Sequence, residues 1–250
     1  FDLTLQQEAL AAVQNKIGDI RQDFLNRGKS EEFCQGIQGS LIAMEPSTGQ
    51  IKALVGGYAF TPQNQLIRPM QSRRQPGSSF KPAVYLAAIE MAYNVQPLNR
   101  RNAYHMYSMI HDTPDAYIPI DEFNMPMNSS VYMTYEERGG SYWHVHNVGG
   151  RYRGDIPLIK ALAVSSNVAA AKIMQEIRVE PVRQILAKTL GMESSEAEAR
   201  FPDQQLSIAL GSEEMKSVEM ATLFSMIANH GQAVQPYYIR YIENSNHQRI

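Results

Sequence analysis

The stretch "RRQPGSSFKPAVYLAAIE", from Arg73 to Glu90, joins a tight polar segment to an apolar run. Pro76 and Gly77 predict a turn. From Phe80 to about Met91, Ala, Leu and Ile recur at helical spacing. Pro82 is compatible with this helix, because the first helical turn has no partner for the missing N–H. The stretch therefore places a serine pair and a lysine where a helix begins.

Two interpretations of these residues are open. In the first, Ser78 or Ser79 caps the helix and Lys81 is solvated. In the second, Ser78 is a nucleophile and a neutral Lys81 takes its hydroxyl proton, because residues three apart share one helix face. That chemistry requires a lysine pKa lowered by burial or by nearby positive charge. Ser79 lies two residues before Lys81, on a different face, and is expected to pack or cap.

Composition restricts the class of protein. The chain has 250 residues, of which 44% are hydrophobic and 19% charged, as in an ordinary globular protein. A net charge of −2 gives no reason to expect a nucleic-acid partner. Cys34 is the only cysteine, which excludes disulfides within the chain and cysteine-based metal sites. No run is long and apolar enough to span a membrane. The chain begins with Phe1 and has no signal peptide, so an excerpt or a processed product is expected.

Periodicity along the chain predicts an α+β fold. Residues 2–25 have helical spacing, and residues 26–36 are polar and loop-like. Two apolar strands, about Ser40–Met44 and Gln50–Val55, flank a Pro-Ser-Thr-Gly turn and predict a β-hairpin. Further helices are predicted at about 157–164, after the turn at 165–167, at 181–191, briefly within 202–211, and at 217–231. The tail 234–250 is β-prone. This order favours helices packed on an antiparallel sheet.

Residues 97–150 show no clear period and contain His105, His111, His144 and His146. His144 and His146 have the spacing of two metal ligands on a strand. No acidic or cysteine ligand stands at a recognisable spacing from them. A polar surface insertion that binds no metal is therefore expected.

A second motif changes the balance between the two interpretations of Ser78 and Lys81. Ser165-x-Asn167 is the only Ser-x-Asn in the chain, and Ser78-x-x-Lys81 is the only Ser-x-x-Lys. Both lie at predicted helix boundaries, where side chains can face a cleft. Taken alone, Ser165-Ser166-Asn167 is also compatible with a turn that caps a helix. Together and in this order, the motifs resemble the active-site serine acyltransferases, the penicillin-binding proteins and serine β-lactamases.

Longer blocks narrow the resemblance. "GSLIAMEPSTGQIKALVGGYAF", the stretch 73–90, "YRGDIPLIKALAVSSNVAAAKI" and "LSIALGSEEMKSVEMATLFSMIANHG" are similar to the transpeptidase domain of class A, bifunctional penicillin-binding proteins. The resemblance implies a β-lactamase/transpeptidase-like fold, with an antiparallel sheet flanked by helices. It implies a linker-side helical segment at 1–38 and the transpeptidase domain at 39–250. Class A β-lactamases usually carry Ser-Asp-Asn and a deacylating Glu; here the motif is Ser-Ser-Asn, and no such Glu is identified.

The resemblance also implies roles. Ser78 attacks the carbonyl between two terminal D-alanines of a peptidoglycan stem peptide, with Lys81 as base. Ser165 relays the proton to the departing D-alanine, and Asn167 binds Lys81 and the substrate amide. An amine of a neighbouring stem peptide then resolves the ester. β-Lactams trap Ser78, and neither a metal nor an organic cofactor is required. Arg73 and Arg74 are expected to be solvated or bracing, and Glu90 and Lys188 to lie on helix surfaces.

One part of the family pattern is missing. The third motif, Lys-Thr/Ser-Gly on a late strand, does not occur; "KTLG" at Lys188–Gly191 stands at a helix end and in the wrong order. The fold is therefore expected to lack its C-terminal strands, and this segment alone is expected to acylate slowly and to fold poorly. A glycosyltransferase domain and a membrane anchor are expected elsewhere in a parent protein, at the outer, periplasmic face of the bacterial cytoplasmic membrane.

Three functions stay open at this point. The first is a cross-linking transpeptidase. The second is a D-alanyl-D-alanine carboxypeptidase or a β-lactamase, which differs in passing the acyl group to water instead of an amine. The third is a non-catalytic sensor or scaffold on the same fold, which the missing third motif favours.

Overall fold

The computed structural model of this chain describes residues 2–94, 104–114, 117–120, 141–203 and 205–249. The chain forms two compact units. The terminal unit is made of Phe1–Arg74 and Glu214–Ile250, and the central unit of Gln75–Glu213. No helix of the described ranges combines the length and the apolar character needed to cross a bilayer.

The elements are numbered in chain order. The helices are α1 (Leu3–Asn26), α2 (Glu31–Gly36), α3 (Arg68–Gln71), α4 (Lys81–Asn94), α5 (Leu158–Ala163), α6 (Asn167–Ile177), α7 (Glu180–Leu190), α8 (Ser194–Arg200) and α9 (Ser217–Ala228). The strands are β1 (Leu41–Met44), β2 (Ile51–Val55), β3 (Arg73–Arg74), β4 (Met109–Asp112), β5 (Tyr117–Ile120), β6 (Ser141–His144), β7 (Gly154–Pro157) and β8 (Met215–Lys216). Short 3₁₀ helices lie at Gly77–Phe80, Val148–Gly150 and Leu206–Leu210.

In the terminal unit, helix α1 packs on strand β2. Ala9, Val13 and Ile17 recur every four residues and form one buried stripe of the helix. Ala53 and Val55 alternate along β2 and meet this stripe in one core. Small and branched side chains, spaced four residues apart on the helix and two apart on the strand, thus form one shared core.

A polar contact fixes the same docking. Leu54 N donates to Gln6 Oε1 at 2.8 Å, and Gln6 Nε2 donates back to Leu54 O at 3.1 Å. The Gln6 side chain of α1 therefore satisfies both backbone groups of Leu54 in β2, as a neighbouring strand would.

The predicted hairpin is present. Strands β1 and β2 are antiparallel, with Leu41 opposite Val55. The predicted β-prone tail forms no strand within the residues described. It makes isolated bridges, at Tyr237 with Gln50 and at Glu243 with Arg249. A strand needs a continuous partner for its backbone groups, and among the described residues the backbone hydrogen bonds between this tail and the hairpin are those of Tyr237 with Gly49 and Ile51.

The central unit is built around α4 and α6. All but the polar edge of α6 is buried, including three successive alanines at Ala169, Ala170 and Ala171. A helix that is apolar on nearly every side lies inside a fold. Phe80, the last residue of the 3₁₀ helix before α4, stacks on Phe201 with ring centroids 6.4 Å apart. This buried frame carries the beginnings of α4 and α6, where both sequence motifs lie.

Part of the segment predicted as a surface insertion is core instead. Strand β4 pairs antiparallel with β7, from Met109 opposite Pro157 to Asp112 opposite Gly154. Strands β5 and β6 form a second antiparallel pair. Asp112, Val145 and Asn147 are buried. The strands are four residues long and their partners are distant in sequence, so they leave no local period. Residues 121–140, which the same prediction covered, lie outside the described residues.

The α+β prediction is confirmed: helices accompany short antiparallel strand pairs. Helix α2 replaces the predicted loop at 26–36, because the Ser30 side chain accepts from Phe33 N and caps it. Helix α8 was not predicted. The division of the chain at residues 38 and 39, with a linker-side segment before a transpeptidase domain, stays a prediction.

Candidate active site

Lys81 begins α4, and its side chain is buried, with 1% of its surface exposed. Its Nζ donates three hydrogen bonds: to Ser165 O at 2.7 Å, to Ser165 Oγ at 3.0 Å and to Asn167 Oδ1 at 2.6 Å. Three acceptors match the three N–H bonds of an ammonium group. Loss of water around the group nevertheless penalises its charge, and burial lowers the pKa of Lys81 to about 8. The amine is therefore available as a base near neutral pH.

Ser78 lies one turn before Lys81 and is exposed. It belongs to the 3₁₀ helix Gly77–Phe80, and its carbonyl accepts from Lys81 N. No hydrogen bond between Ser78 Oγ and Lys81 Nζ is formed in the part of the chain that the structure describes. The Ser78 residue is exposed and is therefore accessible to an incoming molecule.

Ser79 takes a different role from Ser78. Its Oγ donates to Pro76 O at 2.6 Å, which closes the turn that precedes the helix. This contact differs from the expectation that Ser79 packs or caps, because the side chain is exposed and donates to a carbonyl of the preceding turn. Neither serine caps α4 through its side chain, because the 3₁₀ turn runs directly into the helix.

Glycine backbones hold the Ser78 turn. Gly77 N donates to Gly211 O at 3.2 Å, and Gly211 has φ +72°. A Cβ at Gly211 would lie 2.6 Å from Gly77 N, which is closer than side-chain carbons approach backbone. The residue before Ser78 and the end of the 3₁₀ helix Leu206–Leu210 can approach this closely only with glycine at 211.

The second motif forms a turn between α5 and α6. Ser165 has φ +55°, in the left-handed region that non-glycine residues rarely adopt. Its exposed hydroxyl points toward Lys81 Nζ, while Ser166 is buried and caps α6 by accepting from Ala169 N. Asn167 Nδ2 donates to His146 O at 2.8 Å, which assigns Oδ1 to the lysine.

The structure thus brings Lys81, Ser165 and Asn167 together across 84 to 86 residues of sequence. Sequence reasoning missed two buried polar residues behind this cluster. Asn147 Oδ1 accepts from Asn167 N at 2.8 Å, and Asp112 accepts from Asn147 and Ser166. Both lie in the segment without periodicity, so no pattern in a single sequence distinguishes them from surface polar residues.

The histidines of this segment contact other side chains and backbone groups, and the rings of His144 and His146 also contact each other, with centroids 3.9 Å apart. His111 pairs with Asp155, and His146 Nδ1 lies 3.2 Å from Tyr152 Oη. His144 Nε2 lies 2.8 Å from Pro114 O. Within the described residues, no group of three His, Cys, Asp or Glu side chains is arranged to hold a metal ion. That these histidines bind no metal stays a prediction.

The other residues considered from the sequence lie at a helix groove, in a short strand or in a buried position. Glu90 and Lys188 are exposed and line a groove between α4 and α7. Arg73 and Arg74 form β3 in the terminal unit, paired with β8. Cys34 is buried and carries a free thiol.

The chain is similar to proteins of one family. It matches the penicillin binding protein transpeptidase domain over residues 39–117 and 124–249. Penicillin-binding protein 1A of Pseudomonas aeruginosa is 30% identical over 211 residues, 84% of this chain and 21% of that protein. The chain thus spans about a fifth of that relative's length.

Two solved structures share the fold. The crystal structure of penicillin-binding protein 1A from Haemophilus influenzae has a TM-score of 0.64 at 24% identity and covers 85% of this chain and 26% of that one. The PonA1 protein from Mycobacterium tuberculosis, solved in complex with penicillin V, has a TM-score of 0.60 at 17% identity and covers 88% and 52%. With the family match over residues 39–117 and 124–249, this chain belongs to the penicillin-binding protein transpeptidase family, and the class A resemblance predicted from its motifs is confirmed.

Proposed function

We propose that this chain carries the acyl-transfer site of a D-alanyl-D-alanine transpeptidase, with Ser78 as nucleophile and Lys81 as base. The observation that supports it most is the environment of Lys81. A buried amine with its pKa lowered to about 8 stands one turn from an exposed serine hydroxyl. An amine of this kind can accept a proton at neutral pH, which an ordinary solvated lysine does rarely.

The reaction has two halves. Ser78 Oγ attacks the carbonyl of the penultimate D-alanine while neutral Lys81 takes the hydroxyl proton. The C–N bond to the terminal D-alanine breaks, and that proton passes through Ser165 Oγ to the departing amine. Ser165 Oγ is suited to this step because it already lies 3.0 Å from Lys81 Nζ. An amine of a second stem peptide then attacks the ester carbonyl and gives a proton to Lys81, which returns it to Ser78 Oγ as the ester C–O bond breaks.

Asn167 orients the base in this scheme. Its Oδ1 accepts from Lys81, and its Nδ2 is held by the His146 carbonyl, so the amide cannot rotate freely. Fixing the base relative to Ser78 before substrate arrives is worth several powers of ten in rate in well-oriented sites. No cofactor has a role in this chemistry.

The substrate and the setting are part of the proposal. Peptidoglycan stem peptides are the donor and acceptor, and β-lactams acylate Ser78 as mimics of the D-alanyl-D-alanine end. The name of the Pseudomonas relative and the penicillin V complex of the Mycobacterium protein support binding of β-lactams. The place of action is the periplasmic face of the bacterial cytoplasmic membrane, in a protein that also carries a glycosyltransferase domain and a membrane anchor.

Intact-mass measurement after exposure to penicillin tests the proposal. The complete gene product that contains this chain should gain one penicillin mass, and peptide mapping should place it on Ser78. Ser78→Ala should abolish the adduct, whereas Ser79→Ala, its neighbouring control, should leave it intact. An adduct on Ser79, or one that survives Ser78→Ala, would exclude the assigned nucleophile. Transfer of a D-alanyl ester to an added amino acid, in competition with water, then separates a transpeptidase from a hydrolase.

A further inference from the structure

We infer that Asp112 is a positioning residue for this site, acting through Asn147 and Ser166 to hold the 165–167 turn against Lys81. The inference rests on the proposed function, because it concerns the same acyl transfer. It assigns a role to a buried carboxylate that lies outside both sequence motifs.

Asp112 is fully buried, with 0% of its surface exposed. It forms no ion pair with any residue in the described ranges. Its charge is balanced by donors: Asn147 Nδ2 at 2.6 Å and Ser166 Oγ at 2.8 Å reach Oδ1, and Arg153 N at 3.1 Å reaches Oδ2. A buried carboxylate is costly unless such donors satisfy it, and hydrogen bonds to an ionised acceptor are about twice as strong as neutral ones. These donors are therefore held firmly.

Asn147 carries this restraint to the second motif. Because its Nδ2 is committed to Asp112 and to Arg151 O, its Oδ1 must face the start of α6. There Oδ1 accepts from Asn167 N at 2.8 Å and from Val168 N at 3.2 Å. These backbone N–H groups are among those that a helix start leaves without partners. One side-chain oxygen thus fixes the backbone of Asn167, whose own side chain binds Lys81.

Ser166 is the second link. Its hydroxyl donates to Asp112 and accepts from Ala169 N, so both of its functions are used. The residue beside it, Ser165, has a left-handed backbone, which is strained for a non-glycine residue and persists only where its surroundings determine it. Anchoring Ser166 and Asn167, the two residues that follow it, holds Ser165 in this conformation. Its carbonyl and hydroxyl can then both face the lysine.

The substitution Asp112→Asn isolates this role, because it keeps the shape and removes one acceptor. An amide offers one oxygen and one NH₂ group, so in either orientation an NH₂ group faces a donor. We expect the 165–167 turn to shift relative to Lys81. A misplacement of about 1 Å can cost up to about 100-fold in rate, so the acylation rate at saturation should fall roughly 10- to 100-fold. The half-saturating penicillin concentration should change little, because Asp112 does not touch the substrate.

The experiment uses the complete gene product and a fluorescent penicillin over a range of concentrations. Asp155→Asn is the matched control: it is the same change on β7, at an exposed residue paired with His111. This control should acylate like the wild type. Ser166→Ala, which removes one donor and leaves two, should slow acylation less than Asp112→Asn does. Thermal unfolding of each variant, followed by circular dichroism, reports whether the fold is retained.

The outcomes distinguish a failure of the proposed function from a failure of the positioning role. If the wild type is not acylated on Ser78, the proposed function fails and the rate comparison is void for that reason. If the wild type reacts and folded Asp112→Asn reacts equally fast, the positioning role is wrong. The role is also wrong if the slowing appears only in the half-saturating concentration. Loss of the folded state in both Asp112→Asn and Ser166→Ala would overturn it too, because the network would then support the fold as a whole.

Discussion

Lys81 combines two properties that usually oppose each other. It is buried, which disfavours its charge, and it has three acceptors, which favour the charge. Desolvation prevails and lowers the pKa to about 8. At neutral pH the ammonium form still dominates, with a minority of neutral amine. The site therefore holds its base mainly in the protonated form and gains the reactive form as pH rises.

Acylation of Ser78 should accordingly increase with pH, with a midpoint near 8, because only neutral Lys81 can take the serine proton. The measurement is the rate of penicillin labelling between about pH 6 and 9. Lys81→Arg should lose this rising limb together with most of the rate, since arginine stays protonated. Lys160→Arg, the same change on the exposed face of α5, should keep both. A rate that falls or stays level across this range would contradict the assignment of the base.

The same pKa shift has a consequence for stability. Unfolded Lys81 has the ordinary pKa of 10.5, whereas the folded value is about 8. Between these values the unfolded chain binds more protons, so the free energy of unfolding should rise with pH, by at most about 1.4 kcal/mol per pH unit. Below pH 8 the burial penalty is fully present, and above 10.5 it is gone.

Urea unfolding at about pH 7.5 and 9.5 measures this term as a difference. Wild type should gain stability relative to Lys81→Met over this interval. The comparison cancels other titrating groups, including Tyr85, whose pKa is raised by burial and then by the charge of Asp112. Equal pH dependence in the two proteins would show that burial does not perturb the lysine.

At the scale of elements, the site depends on two turns that precede helices. The first enters α4 through a 3₁₀ turn, and the second enters α6 at Ser165. Both are held from outside: the first by the backbone of Gly211, the second by Asp112 and Asn147. Helix packing places the turns, and these contacts fix their conformation.

Gly211→Ala should therefore affect both stability and chemistry. Gly149 provides a matched control, because both glycines have φ +72° but a Cβ at 149 meets nothing within 4 Å. Gly149→Ala should cost about 1–2 kcal/mol, the strain of a left-handed alanine. Gly211→Ala should cost more, because its methyl group collides with Gly77. It should also slow penicillin acylation, which the control should not. Equal effects of the two changes on unfolding and on acylation would show that the Gly77 contact is unimportant.

The terminal unit is assembled from both ends of the sequence. Helix α1 lies within residues 1–38, the segment predicted to be linker-side. Its buried stripe nevertheless shares a core with Ala53 and Val55 of the hairpin. The stability of that hairpin should therefore depend on α1.

Ile17→Ala tests this dependence. Ile17 is 7% exposed, and removing a buried isoleucine side chain typically costs about 2–5 kcal/mol. Leu10 lies on the same helix and is 39% exposed, so Leu10→Ala should cost much less. Urea unfolding monitored by hydrogen exchange of the β1–β2 amides measures both. If the two changes leave the hairpin equally stable, α1 is a separate segment and the predicted boundary at residue 38 gains support.

How far the sequence predicts this molecule depends on the range of each interaction. Local periodicity and turn residues predict the beginnings of α4 and α6, the hairpin and most later helices. Lys81 and Ser165 could be paired only through a family resemblance. Strands β4 and β7 could not be found, because their partners lie more than forty residues apart. Asp112 could not be found either, because its importance comes from donors on three other segments.

The three acceptors around Lys81 differ in what they can do once the lysine loses its proton. A neutral amine has two hydrogens and one lone pair, so one of the three contacts must change its direction. The Ser165 carbonyl can only accept, and Asn167 cannot turn its NH₂ group inward, because His146 O holds it. Only the Ser165 hydroxyl can rotate and donate to the lone pair. Deprotonation of the lysine thus reverses one hydrogen bond and turns Ser165 from an acceptor into a donor. When Lys81 then takes the Ser78 proton, the ammonium form returns and Ser165 accepts from it again, so the hydroxyl proton of Ser165 is free to pass to the departing amine.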